Sequence, residues 1–253
     1  MQSEADPNRT VLSVSGADAS HFLQGLVTNN VDKIADGLVY AALLTPQGKY
    51  LADFMMVALP DGAIGLDVDA GLAQGLAQRL SMYKLRADVQ IADSGLFVHR
   101  GTDAMPKGGM PDPRHPLLGW RMYSDQPGNA LMIDWTALRV AHMIPETGIE
   151  LVPNESFILE TNFEAIGGVD FRKGCYVGQE VTARMKHKTE LRKGLAQVDI
   201  VDGEAETGDP ILSGEKVAGT LLSQSGGRGL AYLRFDRATG PMQAGNATVV
   251  RRV

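Results

Sequence analysis

A chain of 253 residues is long enough for two or three packed modules with a sizeable core. Its 44% apolar and 21% charged residues are an ordinary globular composition, and a formal net charge of −6 argues against a broad basic surface for nucleic acid. A single cysteine, Cys175, excludes an intrachain disulfide and fits a reducing compartment, while no stretch approaches the ~18 apolar residues that span a bilayer. The opening residues MQSEADPNRT carry two acids and no hydrophobic block, which reads as neither a secretory signal nor an Arg-rich transit peptide, so a cytoplasmic location is expected.

Taken in order, Val11, Leu12 and Val14 mark a short strand, and Asp18 opens a helix with Phe22, Leu23, Leu26 and Val27 on one face. Residues 40–45 and 50–59 read as strands joined by the turn Thr45-Pro46-Gln47-Gly48. Asp53 interrupts the second strand, where an acid is costly unless it faces solvent or has a partner. A further strand follows at 64–68. Asp69 caps a helix with Leu72, Leu76 and Leu80 at four-residue spacing, and a strand is expected at 88–92. Residues 101–119, rich in Gly, Pro and Asp, read as a long surface loop. Asp134 caps a helix from Trp135 to about His142, ended by Pro145-Glu146-Thr147-Gly148.

Beyond Lys186 the texture changes. Short strand candidates recur at 194–200, 210–212, 216–222, 229–235 and 247–251, separated by glycine-bearing turns, which suggests a small antiparallel barrel. The expected boundary lies near 188: an α+β region of two intertwined modules over 1–187, then a C-terminal β-barrel over 188–253.

Residues 171–185, FRKGCYVGQEVTARM, concentrate the chemistry. Cys175 lies between Gly174 and Gly178, which allow a sharp turn and a close approach by another molecule. Val181 and Met185 are four apart, as on one helix face, and Glu180 falls in the first turn, where a carboxylate is favoured. A cysteine on a tight turn at a helix N-terminus, near Arg172 and Lys173, is expected to be reachable and to have a lowered pKa. A small buried thiol is the plainer alternative, but Arg172, Lys173 and Gln179 are poor company for a core.

The run Lys173-Gly174-Cys175-Tyr176-Val177-Gly178-Gln179-Glu180 resembles the K-G-C-[YF]-x-G-Q-E motif of YgfZ-type folate-binding proteins. These are relatives of the glycine-cleavage T-protein that support iron–sulfur cluster assembly or repair. The resemblance extends to Phe22–Asn29, to Leu43–Lys49 with Asp53, to Tyr83-Lys84-Leu85-Arg86, and approximately to Arg139 with Ile144–Gly148. It implies a T-protein-like α+β fold around a central cavity with a C-terminal antiparallel barrel. It also implies tetrahydrofolate as the bound cofactor, with Arg139 as a fork for folate, Asp53 near the one-carbon site, and Gln179 and Glu180 in the cofactor loop. Cys175 and Lys173 are implied as the reactive pair, with iron–sulfur proteins or their assembly factors as partners and with no nucleic acid or membrane. The paired acids of T-proteins are reduced here to Ala52-Asp53, and the T-protein Gly-Tyr-Thr-Gly-Glu segment has no clear counterpart. The resemblance thus favours an accessory factor over the alternative, a tetrahydrofolate-dependent aminomethyl or methyl transferase.

No GxxxxGK[ST] or GxSxG motif occurs, and the five histidines show no HExxH spacing, so no resident metal is expected. A cysteine-nucleophile enzyme would need a base beside the thiol; the nearest histidine in sequence, His187, belongs to a basic run. One cysteine cannot hold an iron–sulfur cluster alone, since about four protein ligands are usual.

Overall fold

The computed structural model describes residues 3–130, 132–188 and 190–252, apart from the side chain of Lys188. The chain divides into two compact units, residues 1–133 with 164–181, and residues 134–163 with 182–253.

The first unit is built on two antiparallel sheets. Its elements are β1 (Glu4–Ala5), β2 (Arg9–Ser15), α1 (Ala19–Gln24), β3 (Val39–Leu44), β4 (Tyr50–Ala58), β5 (Ile64–Asp69), α2 (Ala70–Tyr83), β6 (Gln90–Asp93), β7 (Phe97–Gly101), β8 (Met110–Pro111) and β9 (Trp120–Ser124). The larger sheet has the order β3-β4-β5-β2-β6, the smaller β1-β7-β9-β8. All six residues of the edge strand β3 are buried, as are Ala52–Val57 of its neighbour β4, a run that is apolar except for Asp53. Asp69 caps α2 as expected, its carboxylate accepting the Gly71 N–H at 2.9 Å. The helix lays Ala73, Leu76 and Leu80 on the core formed by Leu12, Val14, Leu43, Phe54, Met56, Leu66 and Val68. Each such buried leucine contributes roughly 1.5–3 kcal/mol.

Two expectations change here. The helix opened by Asp18 is shorter than its apolar spacing suggested: α1 stops at Gln24, and Leu26 and Val27 are buried after its end. The stretch 101–119 is only partly loop. It holds β8, a 3-10 turn at Pro116–Leu118 and a buried Asp112, and it leads directly into β9. Thr102, Asp103 and Lys107 are exposed as a surface loop would have them, but Asp112 is buried among charges. Asp112 pairs with Arg114 (2.7 Å) and Arg121 (3.1 Å), and Arg121 pairs with Asp67 (2.8 Å), which also holds Arg9 (2.7 Å).

The second unit is organised by a closed antiparallel barrel. After α3 (Trp135–His142), and after α4 (Gln179–Lys188), within which the chain passes from one unit to the other, come β10 (Lys193–Asp202), β11 (Pro210–Ser213), β12 (Lys216–Ser225), β13 (Arg228–Arg234), β14 (Met242–Ala244) and β15 (Ala247–Arg251). Closure follows the order β10-β13-β12-β11-β14-β15. Val198, Ile211, Ala218, Leu221, Leu233, Met242 and Val249 fill the interior. Closing the sheet removes its edges. The chain thus divides elsewhere than at the expected 187/188. Residues 134–163 join the barrel because α3 packs Val140 on Leu195 and Leu230, and because Gln197 donates to the Val140 and Ala141 carbonyls at 2.6 and 2.8 Å.

Candidate functional site

Cys175 is exposed, on the loop that precedes α4. Its neighbours alternate sharply. Lys173 and Tyr176 are buried, Gly174 and Cys175 stand in solvent, and Gly178 is buried again. The loop is therefore a bridge between two anchors, with the sulfur at its crown.

The first anchor is Lys173. Its ammonium donates to the Gln24 and Val27 carbonyls at 2.7 and 2.5 Å, and lies 5.0 Å from the centre of the Tyr176 ring. The carbonyls at the end of α1 lack helical partners, and a cation there is favoured. Burial pulls the Lys173 ammonium down to about 8, opposed by the Asp170 carboxylate.

This has a consequence for stability. Because the folded value lies below the 10.5 of a free lysine, the unfolded chain binds more protons between about pH 8 and 10.5. Stability should therefore rise with pH across that window, and a Lys173→Met chain should lose up to one proton's share of the rise. Urea midpoints measured from pH 7.5 to 10.5 test this; identical slopes in the two proteins would contradict it.

The second anchor is a pair of glycines. Gly178 has φ +83°, and a Cβ built on it would lie 2.6 Å from the Thr45 carbonyl oxygen. Gly48, at φ +76°, faces Val181 in the same way at 2.9 Å. The molecule that approaches these glycines closely is the chain itself: the Thr45–Gly48 turn is pressed against the loop. Upstream, Thr28 donates to the Gly168 carbonyl (2.7 Å), Asn29 to that of Gly167 (2.7 Å), and Lys33 pairs with Asp170 (2.8 Å). The segment entering the loop is thus stitched to residues 28–33. These partners were present in the sequence as Gly167-Gly168 and Thr28-Asn29, but nothing in their spacing joined them.

Gln179 and Glu180 begin α4. The Gln179 N–H donates to the Tyr176 carbonyl at 3.2 Å, and Glu180 is exposed in the first helical turn. The Gln179 bond closes the loop where α4 begins.

Asp53 sits in β4 and is 3% exposed, so its partner, rather than solvent, accommodates it. Tyr50 donates to one carboxylate oxygen at 2.7 Å and Tyr40 to the other at 2.8 Å. Burial and the adjacent Asp53 charge hold the Tyr40 hydroxyl protonated well above the usual phenol range. The Arg114 guanidinium lies 5.4 Å from the centre of the Tyr40 ring, linking this clamp to the Asp112–Arg121–Asp67 ion pairs. The tyrosines and arginines were not singled out from sequence; the only signal was an isolated acid in an apolar strand.

Arg139, in the second unit, is 8% exposed. Its guanidinium bonds Glu146 at 2.7 Å, Glu150 at 3.4 Å, the Ile144 carbonyl at 3.3 Å and the Ser223 hydroxyl at 3.2 Å. The fork is filled by residues of its own unit. Among the described residues there is no group of three or more His, Cys, Asp or Glu that could hold a metal ion, and no helix is long and apolar enough to cross a membrane.

Residues 192–253 match the CAF17 C-terminal beta-barrel domain. The mouse (Mus musculus) iron–sulfur cluster assembly factor IBA57, mitochondrial, is 30% identical over 92% of this chain and 78% of its own length. The human (Homo sapiens) protein of the same name is 28% identical over the same shares. A Neurospora crassa homologue of IBA57 is 32% identical over 74% of this chain, which spans about half (51%) of that fungal protein. The crystal structure of the glycine cleavage system aminomethyltransferase T from Bartonella henselae superposes on all of this chain and 85% of its own, with a TM-score of 0.73 at 12% identity. That likeness is one of fold: mixed α and β elements followed by a closed six-stranded barrel.

The cytoplasmic expectation is corrected by these relatives, which are mitochondrial by name. It rested on the composition of ten N-terminal residues, which carries little information about location. From the extent of the match to the mouse protein, the chain belongs to the family of the iron–sulfur cluster assembly factor IBA57.

Proposed function

We propose that this chain acts in iron–sulfur cluster assembly by presenting the Cys175 thiol as one ligand to a cluster that a second protein also holds. The observation that carries this is the loop itself: a solvent-facing sulfur fixed between the Lys173 and Gly178 anchors, in a member of a family named for cluster assembly. About four protein ligands are usual for a cluster, so one thiol implies a shared, passing complex with an iron–sulfur protein or assembly factor. Lys173 acts here as a positioning residue, because its ammonium is committed to the Gln24 carbonyl at the end of α1 and the Val27 carbonyl just beyond it. Gln179 and Glu180 set the start of α4 behind the loop. The finer kinship to YgfZ-type proteins rests on the K-G-C-Y-V-G-Q-E run.

The same reading gives the chain tetrahydrofolate as a ligand that it binds without turnover. Asp53 fits in one respect: it is a buried acid held in place by the Tyr40 and Tyr50 hydroxyls, at the position where the T-protein resemblance puts an acid by the one-carbon site. Arg139 does not fit as a free fork, since its own unit already fills it. Titrating the purified protein with tetrahydrofolate tests this part. Saturable binding that weakens about tenfold in Asp53→Ala, with no methylenetetrahydrofolate formed from a methylated amine, is the expected result. Absence of binding would remove folate from the account, and turnover lost in Asp53→Ala but kept in Cys175→Ser would make the chain a transferase.

A further inference from the structure

Helix α2 ends in a way that its own packing does not require. Its last residue is Tyr83, Lys84 closes it, and Leu85 follows with φ +46°. A left-handed residue just past a helix is usually glycine, because a Cβ crowds the backbone there. A leucine held in that conformation is strained, and such strain persists where the surroundings enforce it, often at functional surfaces. Burial does not offset it here, since Leu85 is 87% exposed and Met82, three residues earlier, 77%.

The turn is nevertheless firmly held. Lys84 Nζ donates to the Val89 carbonyl at 3.0 Å, and the Ala87 N–H to the Lys84 carbonyl at 2.7 Å. The Asp88 N–H donates to the Asp18 carboxylate at 2.8 Å, and the Asp18 N–H to the Asp88 carbonyl at 3.2 Å. Gly16 lies so close beneath that a Cβ on it would stand 2.2 Å from the Asp88 carbonyl oxygen. Leu85 is therefore presented on a fixed platform.

Charge says what would cover it. Arg79, one helical turn before Met82, and Arg86, next to Leu85 in sequence, are both exposed. The nearby Asp88 carboxylate is turned to the Ala17 N–H at 3.4 Å, and the Lys84 ammonium is taken up by Val89. A chain of net charge −6 thus carries a locally cationic, apolar patch. We propose that Met82 and Leu85, flanked by Arg79 and Arg86, form a docking surface for a partner protein that offers an apolar pocket rimmed by Asp or Glu. The proposal stands apart from the thiol and folate readings, and its test does not use either.

The test places p-benzoylphenylalanine at Met82 of the full chain, with Val217, 52% exposed in β12, as the control position. Cells are irradiated and cross-linked peptides are sequenced by mass spectrometry. The expected product is another protein, joined at a segment where Asp or Glu flank apolar residues, with a yield about tenfold above the control. An Arg79→Glu/Arg86→Glu chain should lose that product. Leu85→Gly should lose it too while still folding, because the strain relieved at φ +46° and the added freedom of the unfolded chain oppose each other. The proposal is overturned by a cross-link to a second copy of this chain, by a partner segment without acids, or by a yield equal to the control. It is also overturned if the product survives charge reversal or survives in Leu85→Gly.

Discussion

An Arg121→Ala chain should be destabilised by about 3–5 kcal/mol at pH 7, the range measured when one partner is removed from a buried ion pair. Arg121 is 4% exposed and serves two carboxylates at once, bonding Asp67 at 2.8 Å and Asp112 at 3.1 Å. Both acids are buried. Asp67 would keep Arg9 and the Tyr123 hydroxyl, and Asp112 would keep Arg114, but each would lose a charged donor. Lysine at this position has a single ammonium and cannot reproduce the fork. Arg121→Lys should therefore recover only part of the loss.

The same arginines set the acid limit of the fold. Burial works against ionised Asp67 and Asp112, and the neighbouring guanidinia outweigh it, so both carboxyls lie below the usual range. A carboxyl depressed by folding contributes stability that is present above its unfolded value of about 3.9 and is lost as pH falls through the folded value. Without Arg121 the folded values rise, and acid unfolding should begin at higher pH. Urea unfolding at pH 7 and an acid titration followed by circular dichroism measure both effects. A change below about 1 kcal/mol, the size of a surface pair, would contradict the account.

This network also marks the limit of what the sequence disclosed. Elements defined by local chemistry were legible. The turn Thr45–Gly48, the caps Asp69 and Asp134, the start of α4 at Gln179 and five of the six barrel strands all follow from residues within one turn or strand of each other. The sheet β1-β7-β9-β8 was not legible, because Asp112, Arg114 and Arg121 look like solvated loop residues until Asp67, 54 positions from Arg121, is brought beside them. The three-residue strand β14 was too short to carry an alternating pattern.

The site divides in the same way. An exposed sulfur could be expected from the polar company of Cys175, and the thiol is exposed. The role of its neighbours could not. Lys173 read as a cation beside the thiol, yet its ammonium is bonded to carbonyls 149 and 146 positions away. Gly178 read as room for a visitor, yet it is filled by the Thr45–Gly48 turn. Asp53 read as an acid with either solvent or a partner, and only the fold supplies the two phenols. Long-range pairing decides each case, and one sequence does not encode it in any local period.

Cys175→Ser is the substitution with the largest expected functional effect. The side chain is exposed and is fixed by its neighbours' anchors rather than by its own packing, so serine should leave the loop and the melting temperature unchanged. What it removes is the soft thiolate that iron prefers to a hydroxyl. The decisive measurement is the activity of a [4Fe–4S] enzyme in cells that lack this chain and are supplied with either version at equal abundance. The account predicts that the wild-type chain restores the activity and that Cys175→Ser leaves it at the level of the deficient cells; full restoration by Cys175→Ser would contradict it.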